Sequence, residues 1–275
     1  MKNLIASLIS LLVCIGASAQ TENLTVPLSK PGEQYTLKVK NFSGLIKITG
    51  YDGKDVIINV TPGKDDDAEA EDEDDQKPAA AKGMKRISAD HGYEITAKEA
   101  DNVVTVNTNN IEKVIDLELR IPRNVKLEAG TVNEGEVIIE NAEGEFEVNN
   151  VNDNVKLTGI SGSVVASSIA GDVFVSFQSV KPESTMAFSS LSGNVHVELP
   201  ATTKARVKMK SDHGEVYSDF DIEVDKTPAK TEKVSQPGMY QIKKDDWIYG
   251  KINGGGPEMM FKSLSGDIYL KKSAK

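Results

Sequence analysis

Between Gly135 and Gly171 apolar and polar residues alternate in short runs, and the runs repeat. Gly135, Gly144, Gly162 and Gly171 mark a spacing of nine, with Asp153 in the one register position that lacks glycine. Two residues before the markers stand Ala142, Val151, Ile160 and Ile169; two after stand Val137, Phe146, Val155, Val164 and Val173; four after stand Ile139, Val148, Leu157, Ala166 and Val175. Polar residues fill most of the places between. Successive side chains of a strand leave on opposite sides, so the alternation predicts one strand with one buried face per nine-residue unit. The alternation slips phase once per unit, and each slip needs a corner. Gly, Asn and Asp tolerate the backbone angles of corners, and they gather at Asn141, Asn149, Asn150, Asn152, Asn154 and Gly159.

One motif at one spacing favours an all-β, single-domain β-solenoid of short glycine-cornered strands, because every unit of a coil meets the same environment. An antiparallel β meander or sandwich is the alternative. The motif recurs outside the block at Phe42-Gly44-Ile46-Ile48, Leu191-Gly193-Val195-Val197 and Leu264-Gly266-Ile268-Leu270, with a weaker copy at Gly214 and Val216. Further strands are predicted at Tyr35 to Val39, Val56 to Val60, Val103 to Val106 and Ile115 to Ile121. Val180-Lys181-Pro182-Glu183 reads as an inserted loop and Pro228 to Gly238 as a second one.

The ends and the charge refine this picture. Lys2, the apolar run Leu4 to Ile15 and Ala17-Ser18-Ala19 read as an export signal cleaved after residue 19. Cleavage removes Cys14, the only cysteine, and leaves residues 20–275 as the β-repeat domain. No later apolar stretch is long enough for a membrane-spanning helix. The net charge of -10 comes mostly from nine carboxylates between Asp65 and Asp75; without them 33 acids face 32 bases. That balance, with no basic stripe, excludes a nucleic-acid role. The acidic run lies within residues 64–86, which read as a disordered insertion between strands.

The run Asp116-Leu117-Glu118-Leu119-Arg120-Ile121-Pro122, the nine-residue repeats and the ending from Ile252 through Gly254-Gly255-Gly256-Pro257 to Tyr269 together resemble the DUF4097 family of bacterial β-strand-repeat proteins. That group is labelled adhesin and is common in Bacteroidetes. The resemblance implies an exported, solenoid-like protein of the periplasm or cell surface and carries no catalytic residues.

Candidate chemistry is sparse. His91 and His213 each stand between Asp and Gly, but no spacing joins them into a metal site, and a turn role is simpler. The acidic run lacks the ligand spacing and glycine of a calcium loop. None of Ser161, Ser163, Ser167, Ser168, Ser189, Ser190 and Ser192 sits in a nucleophile elbow; outward strand positions or corners account for them. Glu136, Glu145, Glu147 and Asp172 are expected to face outward, where a glycosidase pair would stand, yet the chain is poor in aromatic platforms. Tyr240, Lys243, Lys244, Trp247 and Tyr249 form the candidate contact patch. The expected function is that of a non-enzymatic binding or scaffold module, without cofactor or metal, for an envelope or extracellular macromolecule, protein or polysaccharide. An envelope-stress component contacting a membrane partner is the alternative, and a polysaccharide-active enzyme the third reading.

Overall fold

The computed structural model describes residues 22–63, 92–108, 111, 113–225, 231–236, 239–244 and 246–273. The export signal with Cys14, the insertion 64–86 and His91 lie outside them. The described residues contain strands and no helix, so none crosses a membrane as a helix.

Twenty strands, numbered in chain order, join in one sheet that folds back on itself in two facing rows. The first row runs β1 (Glu22–Pro27), β4 (Asp55–Pro62), β7 (Ile115–Pro122), β3 (Ile46–Tyr51) and β9 (Val137–Glu140). It continues through the first half of β11 (Val155–Ser168) to β12 (Val173–Val180), β14 (Val195–Leu199), β22 (Ile268–Lys272) and β16 (Val216–Ser218). The second row runs β5 (Ile95–Ala100), β6 (Val103–Thr108), β2 (Tyr35–Asn41), β8 (Val125–Thr131) and β10 (Glu143–Asn150). Beyond these stand the second half of β11, then β13 (Met186–Ser192), β21 (Glu258–Ser265), β15 (Ala205–Ser211), β20 (Ile248–Ile252) and β17 (Ile222–Val224). A separate antiparallel pair, β18 (Thr231–Gln236) and β19 (Met239–Lys244), occupies part of the segment expected to be a loop. The two strands pair in register from Thr231 with Lys244 to Gln236 with Met239.

In the regular block the pairing is parallel, and partners lie eighteen residues apart: Val137 with Val155, Val155 with Val173, Gly144 with Gly162. Nine-residue units two apart along the chain are therefore neighbours in the same row. Antiparallel pairs occur towards the two ends, where β1, β4 and β5 stand at one end and β17 and β20 at the other.

The positions two and four after each marker form the core. Val137, Val155, Val164, Val173 and the later Val195 and Ile268 are fully enclosed, as are Ile139, Val148, Leu157, Val175, Val197 and Leu270. Phe177, Phe188 and Phe261 thicken it, with Phe188 and Phe261 stacked at 5.2 Å. Each fully buried side chain of this size contributes about 1.5–3 kcal/mol of transfer free energy.

The position two before the marker splits by corner. Ala142 and Ile160 are buried, whereas Ile169 is 49% exposed and Val151 only half-buried. The reason lies in the residue just before. At that corner Asn150, Ser168, Ser190, Ser263 and Ser211 take the last inward place on successive strands. Their side chains donate to the carbonyls of Gly135, Asp153, Gly171, Gly193 and Gly266 at 2.8–3.0 Å. Ser168 and Ser190, expected on outward strand positions or at corners, are buried at this corner. The apolar residue that follows is turned out, leaving a ridge of Phe42, Val132, Val151, Ile169, Leu191 and Leu264 along the edge.

The other side of each marker is closed by side-chain acceptors. Asn154 Oδ1 accepts from the Asp172 N–H, Asp172 Oδ1 from Asn194, Asn194 Oδ1 from Asp267 and Asp267 Oδ1 from Glu215, at 2.7–2.9 Å. Amide and carboxylate alternate along this ladder, so no two carboxylates are immediate neighbours in it between Asn154 and Asp267.

The markers must be glycine where backbones nearly touch. A Cβ on Gly162, at φ +136°, would overlap the Gly144 carbonyl. Gly162→Ala is expected to lower the denaturant unfolding free energy by about 2–3 kcal/mol, combining strain with a backbone clash. Gly92→Ala, whose Cβ meets open space, should cost less than about 0.5 kcal/mol. Ser190→Ala leaves the Gly171 carbonyl without its side-chain donor and should cost about 1–2 kcal/mol in the same measurement.

Candidate functional site

The third position after the marker points outward, and in the first row it carries rings. Phe174 stands opposite His196, His196 opposite Tyr269, and Tyr269 opposite Tyr217. Parallel register places equivalent side chains one inter-strand spacing apart, about 4.8 Å, which is ring-stacking distance. His196 and Tyr269 stack at 4.5 Å with planes 5° apart, and Tyr269 and Tyr217 at 5.4 Å and 16°. Phe174 is set back at 6.4 Å from His196 and tilted by 41°. Tyr217, on the last strand of the row, is 51% exposed.

The acceptor ladder flanks the rings. Tyr269 donates its hydroxyl to Asp267 Oδ2 at 2.8 Å, while Asp267 Oδ1 holds the Glu215 N–H. The Glu215 N–H first, and then the Tyr269 hydroxyl, keep the Asp267 carboxyl below its ordinary range; that bond raises the phenol. Burial among the rings lowers the His196 imidazole, and Lys271 adds to this; Asp172, Asp267 and Glu198 oppose it.

At the Phe174 end the ladder opens into a groove of about 420 Å³. Phe174 and His196 form one side, Lys156 of the neighbouring strand the other, and Glu136, Asn154 and Asp172 the polar rim. Asn154 Nδ2 donates to Glu136 Oε1 at 3.2 Å, which orients that carboxylate on the rim with Asn154 between it and Asp172. This surface was missed in the sequence. Its signal is the middle residue of Val173-Phe174-Val175, Val195-His196-Val197, Ile268-Tyr269-Leu270 and Val216-Tyr217-Ser218, readable only once the four segments are known to be neighbours.

The predicted contact patch is divided. Tyr240, Lys243 and Lys244 lie on β19, and their side chains are outside the described residues. Trp247 and Tyr249 meet at the outer face of the second row, where Lys208 Nζ lies 4.5 Å from the Trp247 ring centre and 6.0 Å from that of Tyr249. Lys210 beside them bridges Asp212 and Asp246, each at 2.8 Å. Tyr249 also lines a groove of about 510 Å³ with Arg206, Glu223, Lys251 and Glu258.

Other candidates are placed apart. Glu145 pairs with Lys181 at 2.6 Å, which lowers its carboxyl, and Glu147 is exposed on the second row's outer face. His213 sits at a corner with Nδ1 3.0 Å from the Leu264 carbonyl. Among the described residues no three His, Cys, Asp or Glu side chains are grouped to hold a metal ion.

Compared with models of known protein families the chain matches none, and it matches no curated protein. Several solved structures are similar to it, three of which follow. A candidate cell adhesion protein of Clostridium sporogenes shares 13% identity over 93% of this chain and 100% of its own, with a TM-score of 0.43. A candidate adhesin of Bacteroides fragilis shares 13% over 93% and 98%, with a TM-score of 0.36. A candidate lipid binding protein of Parabacteroides distasonis shares 11% over 94% and 98%, with a TM-score of 0.28.

The lowered His196 has a definite sign. Its folded pKa lies below the ordinary 6.5, so its contribution to stability is complete above 6.5 and is lost as pH falls through the folded value. An NMR titration should place the His196 midpoint below 6.5. Unfolding free energy below that pH should fall less steeply in His196→Phe than in the parent chain.

Proposed function

We propose that this protein is an exported, non-enzymatic binding or scaffold module of the bacterial envelope. Residues 20–275 form one domain coiled as a β-solenoid, and its repetitive outer faces meet an envelope or extracellular macromolecule. The observation that carries this reading is the in-register ring ladder Phe174, His196, Tyr269 and Tyr217 beside the acceptor ladder. Aromatic side chains held on strands lose little entropy when a partner docks, which suits them to contact surfaces. The eighteen-residue parallel register supports the coil, because a meander pairs its neighbours antiparallel. The patch of Tyr240, Lys243, Lys244, Trp247 and Tyr249 is a second contact surface in this reading, on the other row. The DUF4097 resemblance, with the export signal at residues 1–19, agrees with a periplasmic or surface location.

Cell fractionation should recover the chain outside the cytoplasm with residues 1–19 removed. The purified mature chain should bind isolated envelopes saturably, and Tyr217→Ser combined with Tyr269→Ser should weaken that binding about ten-fold at unchanged fold by circular dichroism. Retention in the cytoplasm, or binding that does not saturate, would overturn the reading.

A further inference from the structure

The groove at the Phe174 end of the ring ladder has a chemistry more specific than a general contact face. We propose that it binds one pyranose ring of a neutral glycan, an assignment that rests on the binding-module reading of the same face and names its ligand class. Tyr269 is covered on both faces, by His196 at 4.5 Å and by Tyr217 at 5.4 Å, whereas Phe174 stands tilted at 6.4 Å from His196. A ligand can continue the stack only at an end. The Phe174 end faces a cavity of about 420 Å³, within the roughly 300–1,000 Å³ of small-ligand sites.

The rim matches a polyol. Glu136 and Asp172 each have one oxygen engaged by the protein, Glu136 Oε1 by Asn154 Nδ2 and Asp172 Oδ1 by the Asn194 N–H. Those bonds orient the carboxylates and leave the second oxygen of each to accept a hydroxyl proton. Lys156, on the opposite wall, is exposed and supplies a donor. A sugar presents an apolar C–H face for Phe174 and hydroxyls around its edge that donate and accept. The other flat ligands fit less well. A nucleotide would bring phosphate against two carboxylates. A hydrocarbon would strip water from the carboxylates without replacing it. Pre-formed acceptors on rigid strands reduce the ordering cost of binding.

The test is titration of the purified mature chain, followed by amide and imidazole NMR signals, with soluble tetramers of β-1,4-glucose, α-1,4-glucose, β-1,4-N-acetylglucosamine, α-1,6-mannose and β-1,4-galactose. At least one tetramer should bind saturably and shift the signals of Phe174 and His196. Phe174→Ala should weaken that tetramer at least ten-fold, Phe174→Trp should preserve it, and Glu136→Gln should weaken it several-fold with unchanged thermal unfolding. Absence of binding by every tetramer, or binding that Phe174→Ala leaves intact, overturns the assignment. So does a tetra-arginine peptide that shifts the same signals while the sugars do not, which would point to a cationic protein partner. Saturable envelope binding that no tetramer competes would remove the sugar assignment and leave the binding-module reading standing. Loss of envelope binding as well would remove both.

Discussion

Backbone carbonyls at the corners must find donors, and the rest of the structure follows from how they do. Where the chain leaves the second row it packs its backbone against the equivalent corner of the neighbouring strand, so closely that a Cβ at Gly193 would strike the Gly171 carbonyl. Water has no room there, and an unpaired buried carbonyl costs about 1–3 kcal/mol. Asn150, Ser168, Ser190, Ser263 and Ser211 meet that demand by turning inward. The same requirement pushes Ile169 and Leu191 into solvent, which hydrophobicity alone would not do.

Corners tied in this way set the spacing of everything on the outer faces. With each strand registered to the next, a residue type repeated at one offset becomes a straight line of side chains about 4.8 Å apart. Ring ladder and acceptor ladder both arise so, three and one residues after the markers of the first row, with a core position between them. Between Asn154 and Asp267 the acceptor ladder alternates amide with carboxylate. Four carboxylates at that spacing would repel and raise one another's pKa. Alternation keeps the acceptors and spares the repulsion, with Asp172 and Glu136 at the open end of the rings.

The two outer faces differ in character. On the first row the rings are stacked on each other and the polar groups are largely committed to the backbone, so the exposed chemistry concentrates at the ladder's ends. On the second row Lys208 caps Trp247 and Lys210 is held between two carboxylates, a mixed surface whose charges are mostly answered locally.

How much of this was legible in the chain depends on range. Period-two alternation determined by itself that Val137, Val155, Val164 and Val173 are core and that the glycine markers are corners, because side-chain direction in a strand is a local property. Tyr35 to Val39 and Ile115 to Ile121 were readable as strands on the same ground. What the sequence could not decide was the true repeat. Nine residues recur along the chain, but eighteen recur in space, and the two corners are unlike because only one buries its Asn or Ser. Nor could it place β22 between β14 and β16, or β21 between β13 and β15, where the chain's last strands enter among strands formed tens of residues earlier. That insertion brings Tyr269 between His196 and Tyr217, and it is decided by which edge leaves the fewest unpaired backbone groups, a long-range sum that no local pattern carries.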